Sequence, residues 1–222
     1  MRQLVYKDLF FFRVMWLVYL IMPLLFFLFD ASGEILFPMS CLYITLSSVM
    51  VVIVMDERNK SDIIINSLPL NRKDIVIARY ISSGIFIVGG MISTMVVVFL
   101  IRGIAVISDI GAYHSNLYIE ISWYAVVSGA INSLVFVAAF FPSYYGTKSK
   151  VARSIVTGAS MAVGGIAWLF LGDGLDENVP SFIDWIMTPS HIGVFIVGVI
   201  ILASVYIASM FITIKIYEAR DL

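Results

Sequence analysis

Charge is scarce in this chain. Asp, Glu, Lys and Arg make up 13% of its 222 residues, about half the share in an ordinary soluble domain. No Asp, Glu, Lys, Arg or His stands in the middle of any long apolar run. Such residues mark proton relays and ion paths when they occur inside a membrane. Their absence argues against a proton- or sodium-coupled transporter and against a channel ringed by charge. One cysteine, Cys41, lies in an apolar run, so an intrachain disulfide is excluded, and a small buried core residue is the reading that fits. The two histidines, His114 and His191, stand alone, which leaves no metal-ligating set. Asp173, Asp176 and Glu177 lack the ligand spacing of a calcium loop and read as a solvated acidic turn. A phosphate-binding loop needs Gly-x4-Gly-Lys-Ser/Thr after a strand. Gly146-Thr147-Lys148-Ser149 has neither the spacing nor the strand and reads as a turn. The N-terminus carries Arg2, Lys7 and Arg13, but no small-residue cleavage site follows its apolar run. No catalytic residue, cofactor, metal or nucleic-acid partner is assigned to the chain, and energy for any transport has to come from outside it.

What is abundant is apolar. Hydrophobic residues make up 61% and the mean hydropathy is +1.00. A spanning helix takes about 20 apolar residues, and the chain divides into six such runs, at about 14–29, 35–55, 75–101, 121–141, 154–171 and 192–214. The expected fold is therefore all-α, one polytopic membrane domain over 1–222. Pro23 is placed to kink the first span, and Pro142 to stop the fourth. Residues 1–12 place Leu4, Val5, Asp8 and Leu9 on one rough face and read as an interfacial helix on the leaflet. Trp16, Trp123, Trp168 and Trp185 fall near the ends of spans, where aromatic belts sit.

The basic residues fix the orientation. The N-terminus has Arg2, Lys7 and Arg13. The first long polar loop and its edges have Arg58, Lys60, Arg72, Lys73 and Arg79. A later loop has Lys148, Lys150 and Arg153, and the tail has Lys215 and Arg220. Only Arg102 falls on the other side, which carries Asp30, Glu34, Asp109, Glu120, Asp173, Asp176, Glu177 and Asp184. The bias predicts both termini and both basic loops in the cytoplasm.

The most charged stretch, 56–74, lies between spans two and three. Within it sits an apolar knot, Ile63-Ile64-Ile65, with Leu68 one turn on. A helix from Ser61 or Asp62 puts Ile64 and Leu68 on one face. Asn59, Ser61 and Asp62 suit its cap, and Pro69 ends it. Asn71 then caps the next helix, with Asp74 at its third position. Apolar residues on so short a helix at the water boundary need lipid or protein to cover them. Elsewhere small residues recur at four-residue spacing, which lets helices approach closely in lipid. They are Ala125, Gly129 and Ser133 in span four and Ser154, Gly158 and Ala162 in span five, with Thr157, Met161 and Gly165 beside the latter and Asn132 and Ser128 as polar neighbours. Packing inside one subunit, a contact between subunits and a helix that slides during transport all explain them.

The run from Asp56 to Tyr80 resembles the cytoplasmic loop of small type-2 ABC exporter permeases. An acidic pair (Asp56, Glu57), then Asn59-Lys60-Ser61-Asp62, then Ser67-Leu68-Pro69, then Arg72, then Arg79-Tyr80 follow in that family's order. The nearest group is the permeases of the phenol-soluble modulin exporters of Gram-positive bacteria. The resemblance implies two permeases, as a second copy or a paralogue, and two separate cytosolic ABC ATPase subunits that hold ATP and Mg. It implies that 61–68, including Ile63, Ile64 and Ile65, is a coupling helix seated in a groove of the ATPase, with Asp56, Glu57, Arg58 and Lys60 as its polar rim and Asn59, Pro69 and Arg72 also at the contact. A second contact would lie at Tyr144, Tyr145 and Lys148. The expected function is export of an amphipathic peptide or another hydrophobic cargo across a bacterial cell membrane. Export of a drug, lipid or antimicrobial peptide stays open, as does a membrane anchor or sensor that recruits a partner without transport.

Overall fold

The computed structural model describes residues 2–10, 12–29, 33–59, 71–107, 123–147, 149 and 192–219, with single positions 152, 155, 156, 158, 159 and 162. Nearly all of the described residues are helical, and none is in a strand. The helices are α1 (Arg2–Phe10), α2 (Phe12–Phe29), α3 (Gly33–Arg58), α4 (Arg72–Ile107), α5 (Trp123–Gly146) and α6 (Ile192–Glu218). Four of them, α3 to α6, are long and apolar enough to cross a membrane, and α1 with α2 makes a fifth if that pair, bent by 60°, counts as one span. Of the fifth expected span only positions 155, 156, 158, 159 and 162 are described, each helical.

Several helices outrun the boundaries read from hydropathy. At 36 residues α4 is about 54 Å long at 1.5 Å per residue, well beyond the ~30 Å hydrocarbon core. It passes Arg102 without a break. It starts at Arg72, directly after Asn71, as the capping pattern required. The α3 helix runs on through Asp56, Glu57 and Arg58, so these three are helix residues and not loop residues.

Pro142 does not stop the fourth span, since α5 continues through it to Gly146. Proline removes one N–H and so frees the carbonyl four residues back. That carbonyl, on Ala138, accepts a hydrogen bond from Ser209 Oγ of α6 at 2.6 Å. Pro23 inside α2 repeats the arrangement: the freed carbonyl of Tyr19 accepts from Ser93 Oγ of α4 at 2.6 Å. Both prolines are tolerated because a neighbouring helix supplies the missing donor.

The core lies mainly between α3, α4, α5 and α6. Val76, Phe136, Val137 and Phe140 are fully enclosed in it, and Phe37, Ile44 and Val98 are enclosed in smaller clusters beside it. Gly129 lets α5 approach α3. A Cβ built there would stand 3.2 Å from Phe37 Cδ1 and 3.5 Å from Cys41 Cβ. Cys41 is buried as expected, its sulfur 3.3 Å from Ser133 Oγ.

Candidate functional site

Four charged side chains meet where α1, α3 and α4 come together. Asp8 and Asp56 are almost fully buried, Arg79 is buried, and Lys7 is half-buried. Arg79 joins the two acids: its guanidinium donates to Asp8 Oδ1 at 2.9 Å and pairs with Asp56 Oδ2. Lys7 Nζ donates to Asp56 Oδ1 at 2.7 Å and lies 3.9 Å from Asp8. Two cations face two anions, so the cluster is formally neutral. Buried charge is tolerated only when paired in this way.

The sequence supplies the cluster through helix geometry. Asp8 follows Leu4 by four residues and so shares the inward face of α1. Asp56 and Arg79 stand on the two helix ends that flank the 60–70 segment, and their pairing clamps those ends together. Burial pushes the Asp8 carboxyl above its ordinary range, opposed by the charges of Arg79 and Lys7 and by hydrogen bonds from Ser82 and Arg79. Beside the pair lies a cavity of about 10 Å³, lined by Asp8, Arg79, Ser82, Ser83, Phe86 and Phe141. That is room for about one water.

A second set of contacts brings the ends of α3, α5 and α6 to the same region. Tyr144 Oη donates to Glu57 Oε1 at 2.9 Å. Tyr144 and Tyr145 contact edge-to-face at 5.3 Å, and Tyr145 meets Tyr217 of α6 at 5.2 Å. Arg72 donates to the Glu218 carbonyl at 3.2 Å, and Lys73 pairs with the exposed Glu218 carboxylate at 3.9 Å. One level deeper, Tyr80 Oη lies 2.8 Å from both Ser209 Oγ and Thr213 Oγ1. Tyr206 Oη donates to the Tyr80 carbonyl at 2.8 Å. The Ser209 and Thr213 protons go to the Ala138 and Ser209 carbonyls, which leaves both hydroxyl oxygens as acceptors for the one Tyr80 proton.

Among the residues expected to contact an ATPase, Asp56 faces inward, while Glu57, Arg58 and Asn59 are exposed at the end of α3. Arg72, Tyr144 and Tyr145 lie at helix ends on the same side of the bundle as the Glu57 carboxylate. Lys60, Ser61, Asp62, Ile63, Ile64, Ile65, Ser67, Leu68, Pro69 and Lys148 lie outside the described residues, as does Gly165. Gly129 and Asn132 are at the α3–α5 interface or buried on α5. Gly158 and Ala162 are exposed, and nothing among the described residues lies within 4 Å of a Cβ built at Gly158.

The model of a family described as ABC-2 family transporter protein matches residues 3–218. The chain belongs to the ABC-2 transporter family. It is thus a multi-pass membrane protein and a permease component of an ABC transporter, a family that works with an ABC ATPase subunit and is usually non-catalytic itself. No curated protein and no solved structure matches the chain. Within an ABC-2 permease the Lys7–Asp56–Arg79–Asp8 cluster acquires a position of interest, because the segment it flanks is the one that resembles a coupling loop. Sequence reasoning did not bring Lys7, Asp8 and Arg79 together. The available signal was Asp8, an acid placed on the apolar face of its helix.

Proposed function

We propose that the chain is the permease subunit of an ATP-driven exporter of the bacterial cytoplasmic membrane, with both termini inside. Two copies, or one copy and a paralogue, pair with two ATPase subunits that bind ATP and Mg. Residues 61–68 form the coupling helix. Ile64 and Leu68 enter an apolar groove on the ATPase, and Glu57, Arg58, Asn59 and Lys60 form its polar rim, with Tyr144, Tyr145 and Lys148 as the second contact. The cargo is an amphipathic peptide of the phenol-soluble modulin kind, because the bundle interior is apolar and aromatic and its buried charges are neutralised at one end.

The observation that carries this reading is the ionic clamp across the loop. Asp56 and Arg79 tie the end of α3 to the start of α4, and Lys7 and Asp8 tie both to α1. A push on the intervening segment would reach three helices at once instead of being absorbed by one flexible end. The Tyr144–Glu57 bond adds α5 to the same group.

The test is Ile64→Ala combined with Leu68→Ala in the purified complex. Truncating a well-packed anchor typically costs over ~1 kcal/mol of binding, and sometimes ~2 or more. Loss of ATPase in a pull-down, or hydrolysis that no longer responds to added peptide, is the expected outcome. Full ATPase retention with normal peptide-stimulated hydrolysis would remove the coupling assignment and favour a helix resting on lipid.

A further inference from the structure

The outer face of α1 is unlike its inner face. Lys7 and Asp8 turn into the ionic cluster, leaving Arg2, Tyr6 and Phe10 outside, one turn apart from each other. Tyr6 is 72% exposed and Phe10 54%. Beside them a groove of about 360 Å³ runs between α1 and α4, lined by Arg2, Val5, Tyr6, Leu9 and Ile81. That volume is within the range of small-molecule sites, about 300–1,000 Å³. Ile81 is also the first member of an exposed apolar stripe that continues along α4 through Ile85, Val88, Ile92, Val96 and Phe99. The spacing of three and four residues keeps all six on one face.

We propose that this groove binds an anionic glycerophospholipid. The guanidinium of Arg2 takes the headgroup phosphate, a planar donor fork being matched to phosphate oxygens. Tyr6 sits at headgroup level, where its ring is buried and its hydroxyl wet. The acyl chain enters between Val5, Leu9 and Ile81 and runs down the α4 stripe. An apolar groove with one cation at its mouth, opening onto a lipid-facing stripe, has the charge and polarity order of a phospholipid read from head to tail. The inference rests on α4 spanning the membrane, but not on the coupling helix or the cargo.

The experiment reconstitutes the purified full-length chain into mixed vesicles of phosphatidylcholine with phosphatidylglycerol as the minor component. The chain is then re-extracted and washed, and the retained lipid is counted by mass spectrometry. Phosphatidylglycerol should be enriched about fivefold over the vesicle composition, the effect of one basic residue near the headgroups. Arg2→Gln should bring the retained ratio back to that of the vesicles with the total unchanged. Ile81→Trp, which fills the groove from α4, should lower the total. Bulk composition in the wild type, or undiminished enrichment in Arg2→Gln, overturns the site. So does a disulfide between two chains carrying Ile81→Cys in a Cys41→Ala background, which would give this face to a second copy. Retention is measured without ATPase or peptide, so its failure is separable from failure of the export reading.

Discussion

Arg79 is the residue whose loss should cost most outside the apolar core. Its buried guanidinium pairs with both carboxylates of the cluster, close to each, whereas Lys7 is half-buried and lies 3.9 Å from Asp8. Arg79→Met keeps the length of the stem but leaves Asp8 and Asp56 facing each other with Lys7 as the remaining cation. The cluster then carries one net negative charge. Removing one partner of a buried pair costs about 3–5 kcal/mol, and Lys7, being half in solvent, screens little of it. A loss of ~3 kcal/mol is a factor above about 100 in the folded population. The second substitution, Asp56→Asn in the same chain, restores neutrality and should recover a large part of the loss. The assay is thermal unfolding of the detergent-solubilised chain for both single variants and the pair, treated as a double-mutant cycle. If Arg79→Met unfolds like the wild type, or if the pair is less stable than the sum of the singles, the cluster does not hold these helices together.

Four further outcomes are expected. Ser209→Ala orphans the Ala138 carbonyl, at a cost of about 1–3 kcal/mol, and Pro142→Ala should recover it by restoring an N–H four residues on; a cycle in unfolding temperature reads the pairing. Gly129→Leu should destabilise the single chain through overpacking against Phe37, by about 1–3 kcal/mol, read as a lower unfolding temperature. Asp8 titrates above its ordinary value of 3.8 because burial outweighs its cationic neighbours. Its folded form therefore favours the proton: that stabilisation is complete below the ordinary value and is lost as pH rises through the folded one, and Asp8→Asn should flatten this part of a stability–pH curve. Single cysteines at Ser61 and Lys148 should label from the cytoplasmic side alone, and one at Asp176 from outside; outside labelling at Lys148 would break the topology.

The helical class and most span positions were legible because an apolar run of twenty residues has few uses other than crossing lipid. Asn71, one residue ahead of α4, and Asp74, in its first turn, mark its start. The ends were harder. Hydropathy falls at Asp56, Glu57 and Arg102, but the helix continues, because the backbone ladder does not depend on side-chain polarity once neighbours pack against it. Pro142 was read by its local rule, and the rule was overridden by Ser209, a donor 67 positions later in the sequence that only the fold brings close. The ionic cluster was hidden for a similar reason. Arg79 was counted among loop charges by its sign, and its partners lie on two other helices.

Hydrogen bonds at two depths give α4 the character of a spine. At Tyr80 it is fastened to Ser209 and Thr213 of α6, and through Ser209 to α5. At Ser93 it is fastened to α2. The two fastenings are about 20 Å apart along its axis, from thirteen residues at 1.5 Å each. At Ser93 the fastening is a single hydroxyl on a carbonyl at 2.6 Å, and at Tyr80 it is a set of hydroxyl contacts at 2.8 Å, so an axial slip of two residues takes each out of range, while a small rotation does not. Helices held in this way can tilt together around α4 but cannot slide past it. A transport cycle in this protein should then consist of tilting, with each slip along the axis costing two hydrogen bonds in a medium that offers no water to replace them.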